Sequence, residues 1–258
     1  MPIEIDLSGQ IVLVTGGVRG VGIGITRRFL AAGATVLTCA RRPPDEPITV
    51  GERGAEHHTC DVREVEAVAA MFARIIADHG RIDHVVNNAG GAPFAMADTA
   101  SPRFHAKIVE LNLLAPLLIS QHANAQMQQQ DTGGSIVMIT SVSGHRPSPG
   151  TAAYGAAKAG LDNLAASLAV EWAPKVRLNS VVVGPALTEL AHLHYGDTEA
   201  TAAVARTVPL GRLATPTDVG NAALFLTSPL ATHISGATLL VHGAGERPAY
   251  LDATTANT

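Results

Sequence analysis

The 258-residue chain has two cysteines, three tyrosines and three lysines, and no run of eighteen apolar residues. Cys39 and Cys60 cannot build a disulfide framework. They fall at the ends of two predicted strands that can be neighbours, where a redox pair would be the sharper reading. Two small, buried, reduced residues are the commoner outcome in a cytosolic protein. The missing apolar run leaves nothing expected to span a membrane, and a composition of 47% hydrophobic and 16% charged residues is globular. Met1 to Gln10 carries Glu4 and Asp6 but no basic residue. No secretory signal is therefore expected, and the default location is the cytoplasm. Positive charge is also short: the net charge of −4 excludes the basic stripe of a nucleic-acid-binding protein. Arginines crowd only at Arg27-Arg28 and Arg41-Arg42. Eleven histidines include no His-Glu-x-x-His spacing, and no Cys-x-x-Cys accompanies them, so no metal site is expected.

What is present alternates. Short β-branched runs predict strands at Ile11–Thr15, Thr35–Cys39, His84–Asn87, Ser135–Thr140, Arg177–Val182 and Ala237–Val241, with a weaker one near Glu56–Cys60. Their apolar residues do not alternate with polar ones, as in parallel strands covered on both faces. Helical stretches such as Val65–Asp78, Phe104–Gln130 and Tyr154–Trp172 separate them. The expectation is one α/β domain over residues 1–258, a doubly wound (Rossmann) parallel sheet of about seven strands. Pro43 to Gly54 reads as a surface excursion. Residues 188–211, rich in small and polar types, read as a lid, and 246–258 as a tail whose last residues are mobile.

The first strand runs into Thr15-Gly16-Gly17-Val18-Arg19-Gly20-Val21-Gly22, and a helix follows. Glycines let backbone N–H groups approach a pyrophosphate at a helix amino terminus. The strand–turn–helix context makes this a dinucleotide site. Its spacing, Thr-Gly-x-x-x-Gly-x-Gly, resembles the short-chain dehydrogenase/reductase family, and the similarity runs from about residue 8 to 245. By that resemblance Gly16, Arg19, Gly20, Val21 and Gly22 would line the phosphates. Asp61 and Val62 would meet the adenine, and Asn88, Ala89 and Gly90 form the family's Asn-Asn-Ala-Gly segment with Asn87. Gly184 and Thr188 would hold the nicotinamide, with Val183 standing where relatives have proline. Pro209-Leu-Gly-Arg212 also matches.

The second strand ends Cys39-Ala40-Arg41-Arg42, with Ala40 where relatives that prefer NAD carry Asp. Arg41 can pair bidentately with a 2′-phosphate, and Arg19 can reach it from the turn. NADP(H) is the expected cofactor, with NAD(H) the other option.

Tyr154 and Lys158 are four residues apart and share a helix face. With so few tyrosines and lysines, this spacing arises by chance in only about 3 in 100 such sequences. A nearby ammonium is expected to lower the tyrosine pKa and fit it for acid–base work. Ser141, thirteen residues upstream at the carboxyl end of a strand, is by the resemblance the group that holds the substrate oxygen. Ser143 competes for that role, and either hydroxyl can instead cap a turn. Pro116 takes the helical partner from the carbonyl of Asn112, so the helix should bend there and leave room for a water. The resemblance makes Asn112 the holder of a proton-passing water. The resemblance implies an enzyme interconverting a secondary alcohol and a ketone, with a small-molecule substrate and a homo-oligomeric state, tetramer or dimer.

Two other readings stand beside it. One is a 3-oxoacyl-thioester reductase, against which Gln128-Gln129-Gln130-Asp131 offers an acidic carrier no basic patch. The other is a non-catalytic dinucleotide sensor, which would have no need of the four polar residues. Leu187, Leu190, Leu193 and Tyr195 in the lid suit a hydrophobic substrate: alicyclic, steroid-like or acyl.

Overall fold

The structure, a computed structural model, describes residues 4–253. The expectations for Met1–Ile3 and for the last five residues lie outside that range. Seven strands form one sheet: β1 Ile11–Thr15, β2 Thr35–Ala40, β3 Glu56–Thr59, β4 His84–Asn87, β5 Gly134–Ser141, β6 Val176–Val183 and β7 Thr238–Val241. They lie in the order β3-β2-β1-β4-β5-β6-β7, and every pairing is parallel. The longer helices are α1 Gly20–Ala31, α2 Val65–His79, α3 Pro102–Val109, α4 Ala115–Met127, α5 Ala152–Glu171, α6 Thr198–Thr207 and α7 Pro216–Thr227.

The inner strands are mostly apolar because both sheet faces are covered. Leu13, Val85, Ile136 and Leu178 pack with Phe72, Ile119 and Leu161 from α2, α4 and α5. Their strand neighbours Val12, Val14, Val86, Val137 and Val181 turn the other way, onto Ile25 and Phe29 of α1 and Val219 and Leu224 of α7. Each such buried side chain contributes about 1.5–3 kcal/mol. Winding outward from β1 in both directions opens a crevice at the carboxyl ends of β1 and β4, where such sheets take ligands.

Cys39 and Cys60 are free and buried in one core cluster, and burial raises both thiol pKa values. His84 is a core residue between Ser135 and Gln10. Burial pushes its pKa down to about 4, so it stays neutral. Among the described residues no three His, Cys, Asp or Glu side chains gather as metal ligands, and no helix is long and apolar enough to cross a membrane.

Three segments gain local detail in the structure. The Pro43–Gly54 excursion contains an antiparallel ribbon, Thr49–Val50 against Arg53–Gly54, beside buried Ile48. The segment from Thr188 to Gly211 is largely helical, with one turn at His192–Tyr195 followed by α6. Its small residues are mostly alanines, the best helix formers, and Asp197 caps α6 by accepting from the N–H of Ala200 at 2.9 Å. The long helix of the middle is α3 and α4 joined by a π-helical turn, Glu110–Leu114.

Candidate active site

The glycine turn is built on Thr15. Its side-chain oxygen accepts from the N–H groups of Asn88 and Ala89, both at 3.0 Å. Asn88 returns the tie, its Nδ2 donating to the carbonyls of Thr15 (2.9 Å) and Gly16 (3.2 Å). The ends of β1 and β4 are thereby stitched together. Gly16 has φ +62, and a Cβ on Gly22 would stand 2.1 Å from the Gly16 carbonyl oxygen. No side chain fits there. Past the turn, the N–H of Gly20 donates to the Glu189 carboxylate at 2.7 Å. The first turn of α1 thus already holds an anionic oxygen, as a phosphate site requires. Val21 follows in the same turn of α1, and Arg19 is solvent-exposed at its N-cap.

Just after β3, Val62 is buried, and Arg63 grips Asp61 through Nε at 2.9 Å and Nη2 at 2.6 Å. That hydrogen bonding, with Arg41 adding attraction, holds the Asp61 carboxyl below the usual range. Arg41 itself is exposed.

The four catalytic candidates fall into two pairs, one of which meets at Gly90. Pro116 cannot donate to the Asn112 carbonyl. The helix responds with the π turn, in which the N–H of Ala115 reaches back to the Glu110 carbonyl. Asn112 is fully buried there. Its Oδ1 accepts from the N–H of Gly91 (2.8 Å), while its Nδ2 donates to the carbonyls of Gly91 (3.0 Å) and Ile108 (2.9 Å). Lys158 is 3% exposed and donates to the Ile139 carbonyl at 2.9 Å. A Cβ on Gly90 would touch both groups, 2.7 Å from Asn112 Oδ1 and 3.3 Å from Lys158 Nζ.

Ser141 ends β5. Its side chain accepts from the N–H of Ser143 at 3.2 Å, so it does cap a turn, and it lies close enough to Tyr154 to act on the phenol. Ser143 is turned away, accepting from Ser148 at 3.1 Å. Tyr154 shows a correction. Burial raises its pKa above the ordinary value, and the Ser141 hydroxyl, rather than Lys158, is what pulls it back. Lys158 Nζ stands 5.7 Å from the Tyr154 ring centroid and has its own carbonyl partner. Burial lowers the Lys158 pKa to about 8.

That shift has a measurable consequence. Between about pH 8 and 10.5 the unfolded chain keeps a proton on this amine that the folded protein has lost. This group's contribution therefore makes the fold more stable as pH rises through that window, by roughly 3 kcal/mol. Buried Cys39 acts oppositely, because its thiol ionises more readily once unfolded. Comparing urea unfolding of the wild type with Lys158→Met isolates the lysine. The variant's advantage should be largest near pH 7 and shrink by pH 10; a difference constant with pH would show that Lys158 titrates as it does in water.

At the end of β6, Val183 stands opposite Ser141 and Val241 in the ladder. Unlike a proline it carries an N–H, so the strand runs on through it. A Cβ on Gly184 would lie 2.7 Å from that of His242. The Thr188 hydroxyl accepts from the Leu190 N–H at 3.3 Å, opening the turn that leads to His192–Tyr195. Thr15, Arg63 and Glu189 are additions. Thr15 opens the glycine motif, and Arg63 follows Asp61 closely enough in the chain to pair with it. No local signal marks Glu189, whose partner is 169 residues away.

A family model described as "Enoyl-(Acyl carrier protein) reductase" matches residues 16–244. The chain is 32% identical to 3beta-hydroxysteroid dehydrogenase 1 of Eggerthella lenta, covering 92% of this chain and 94% of that one. It is 33% identical to cis-4-hydroxycyclohexanecarboxylate dehydrogenase of Sinomonas cyclohexanicum, over 91% and 95%. The ligand-free aldohexose dehydrogenase of Thermoplasma acidophilum superposes with a TM-score of 0.87 at 29% identity, covering 94% of this chain and 96% of its own. With its parallel seven-stranded sheet, its Thr15–Gly22 turn and Tyr154 and Lys158 on α5, the chain belongs to the short-chain dehydrogenase/reductase family of oxidoreductases acting on alcohol and carbonyl groups.

Proposed function

We propose that the chain interconverts a secondary alcohol and a ketone with NADP(H), Tyr154 carrying the proton. One observation bears most of this reading: Asn112 and Lys158 meet at Gly90, and Ser141 meets Tyr154, at the carboxyl edge of the sheet that bears the Thr15–Gly22 turn. The dinucleotide supplies the hydride acceptor or donor when bound. In oxidation the alcohol proton passes to Tyr154 while Ser141 holds the oxygen; in reduction both act in reverse. Asn112 and Lys158 maintain the polar path behind them. The residues fit the cofactor: the Gly20 N–H binds an anionic oxygen, and Gly16 and Gly22 leave the backbone bare.

We read residues 1–258 as one catalytic domain with 188–211 as its lid, working in the cytoplasm as a homo-oligomer, tetramer or dimer. Exposed Leu114 and Val170 on the middle helices support the assembly. The relatives named above for ring alcohols support an alicyclic substrate.

Arg41 and Arg19, both exposed beside the crevice, support NADP(H) over NAD(H). Replacing Arg41 by Ala should weaken NADPH binding about 10- to 100-fold, the loss of a charge-assisted pair, and leave NADH binding nearly unchanged. Fluorescence titration with both nucleotides checks this. Tighter binding of NADH than NADPH by the wild type would overturn the choice.

A further inference from the structure

Beside the catalytic group lies a cavity of about 210 Å³, bounded by Val142, His145 and Arg146 on one side and Pro185, His242 and Glu246 on the other. Val142 follows Ser141 directly, and Pro185 follows Gly184, so the cavity adjoins the place where the substrate oxygen and the nicotinamide would meet. Arg146 lies on the loop between Ser141 and Tyr154. One of its nitrogens, Nη1, is turned onto the Pro147 carbonyl at 3.0 Å, and Nη2 donates to Glu246 Oε1 at 2.6 Å. The Arg146 side chain is 41% exposed and that of Glu246 is 32% exposed, so solvent and small molecules reach the pair. Tyr195 lies near both and near Tyr154, so this corner borders the reacting one.

We propose that Arg146 is the anchor for a carboxylate on the substrate, and that Glu246 holds the guanidinium in place until the substrate's carboxylate takes it over. This rests on the alcohol–ketone reading above and names the substrate class within it: a single-ring or comparably small hydroxy acid and its keto acid.

Three features favour this class. A guanidinium fork recognises a planar carboxylate, and the Glu246 carboxylate demonstrates that such a group reaches Arg146 at the site itself. Of the two histidines lining the cavity, His145 is engaged by Asp162 at 2.9 Å, and His242 adds no negative charge. Once Glu246 withdraws, no lining carboxylate opposes an anion. The volume falls below the roughly 300–1,000 Å³ of drug-sized ligand pockets, which suits one ring rather than four.

Calorimetric titration in saturating NADP+ tests the anchor without turnover, using cyclohexanecarboxylate and its uncharged isostere cyclohexanecarboxamide. The acid should bind the wild type about tenfold more tightly than the amide. Arg146→Gln should bring that ratio close to one, Arg146→Lys should leave it in between, and Glu246→Gln should raise it. Equal binding of acid and amide by the wild type, including no binding of either, would overturn the proposal. So would a ratio that survives in Arg146→Gln, or one that falls in Glu246→Gln, which would make the pair a clasp for the carboxyl-terminal segment. Turnover of 4-oxocyclohexanecarboxylate with NADPH is scored separately: an intact acid preference without turnover counts against the alcohol–ketone reading and leaves the anchor standing.

Discussion

Replacing Tyr154 with Phe is expected to lower kcat for NADPH-dependent ketone reduction by about 10²–10⁴-fold, the usual contribution of a positioned acid or base. The ring still fills its place beside Lys158, so the change removes one oxygen and little packing. Ser141 keeps its bond from the Ser143 N–H and continues to shape the turn. NADPH affinity should therefore stay within about twofold, and the loss should fall on kcat and kcat/KM alike, as for a group acting in the transition state. In the free protein, burial holds the Tyr154 phenol above its ordinary pKa, so at neutral pH it is protonated and ready to donate. Oxidation needs the phenolate instead. Its kcat/KM should keep climbing with pH up to the alkaline range of an ordinary phenol and beyond in the wild type, and lose that slope in Tyr154→Phe. A Phe variant retaining wild-type activity would mean the proton comes from elsewhere.

The second large effect is expected at Gly22. A Cβ there would meet the Gly16 carbonyl oxygen at 2.1 Å, Asn88 Nδ2 at 2.7 Å and the Gly16 carbonyl carbon at 2.9 Å. Two of these are backbone atoms, and Asn88 is pinned by its own bonds to Thr15 and Gly16, so the turn itself must move. Overpacking of this kind costs about 1–3 kcal/mol. Gly22→Ala should accordingly weaken NADPH binding about 10- to 100-fold. Gly20→Ala is the informative partner: its Cβ would meet nothing within 4 Å, and only φ +56 is unfavourable. It should cost about 1 kcal/mol, a several-fold loss. Equal affinities for wild type and Gly22→Ala would show that the turn does not cradle the cofactor.

How much of this was legible beforehand follows from the range of each interaction. The inner strands could be read because both sheet faces are buried, which leaves unbroken apolar runs such as Ile11–Val14. The edge strand Glu56–Thr59 is polar and partly exposed, so its signal was weaker. The Tyr154–Lys158 pair was legible because four residues span one helical turn. Its electrostatics were not: which group tunes the tyrosine depends on the Ile139 carbonyl and Ser141, brought in from β5. Pro116 announced a disturbance near Asn112, but only the surrounding packing determines that it becomes a π turn rather than a simple bend. The ties from Gly20 to Glu189 and from Arg146 to Glu246 join residues 169 and 100 positions apart, beyond any pattern of spacing.

Thr15 carries one more consequence. A single hydroxyl gathers two backbone N–H groups and thereby fixes the relative position of two strand ends before any dinucleotide arrives. Entropy that a floppy phosphate loop would surrender on association is here surrendered during folding. Binding should consequently involve little rearrangement of the turn beyond release of the Glu189 carboxylate from Gly20, and nucleotide-induced protection from hydrogen exchange should be small at residues 15–22 compared with residues 188–211.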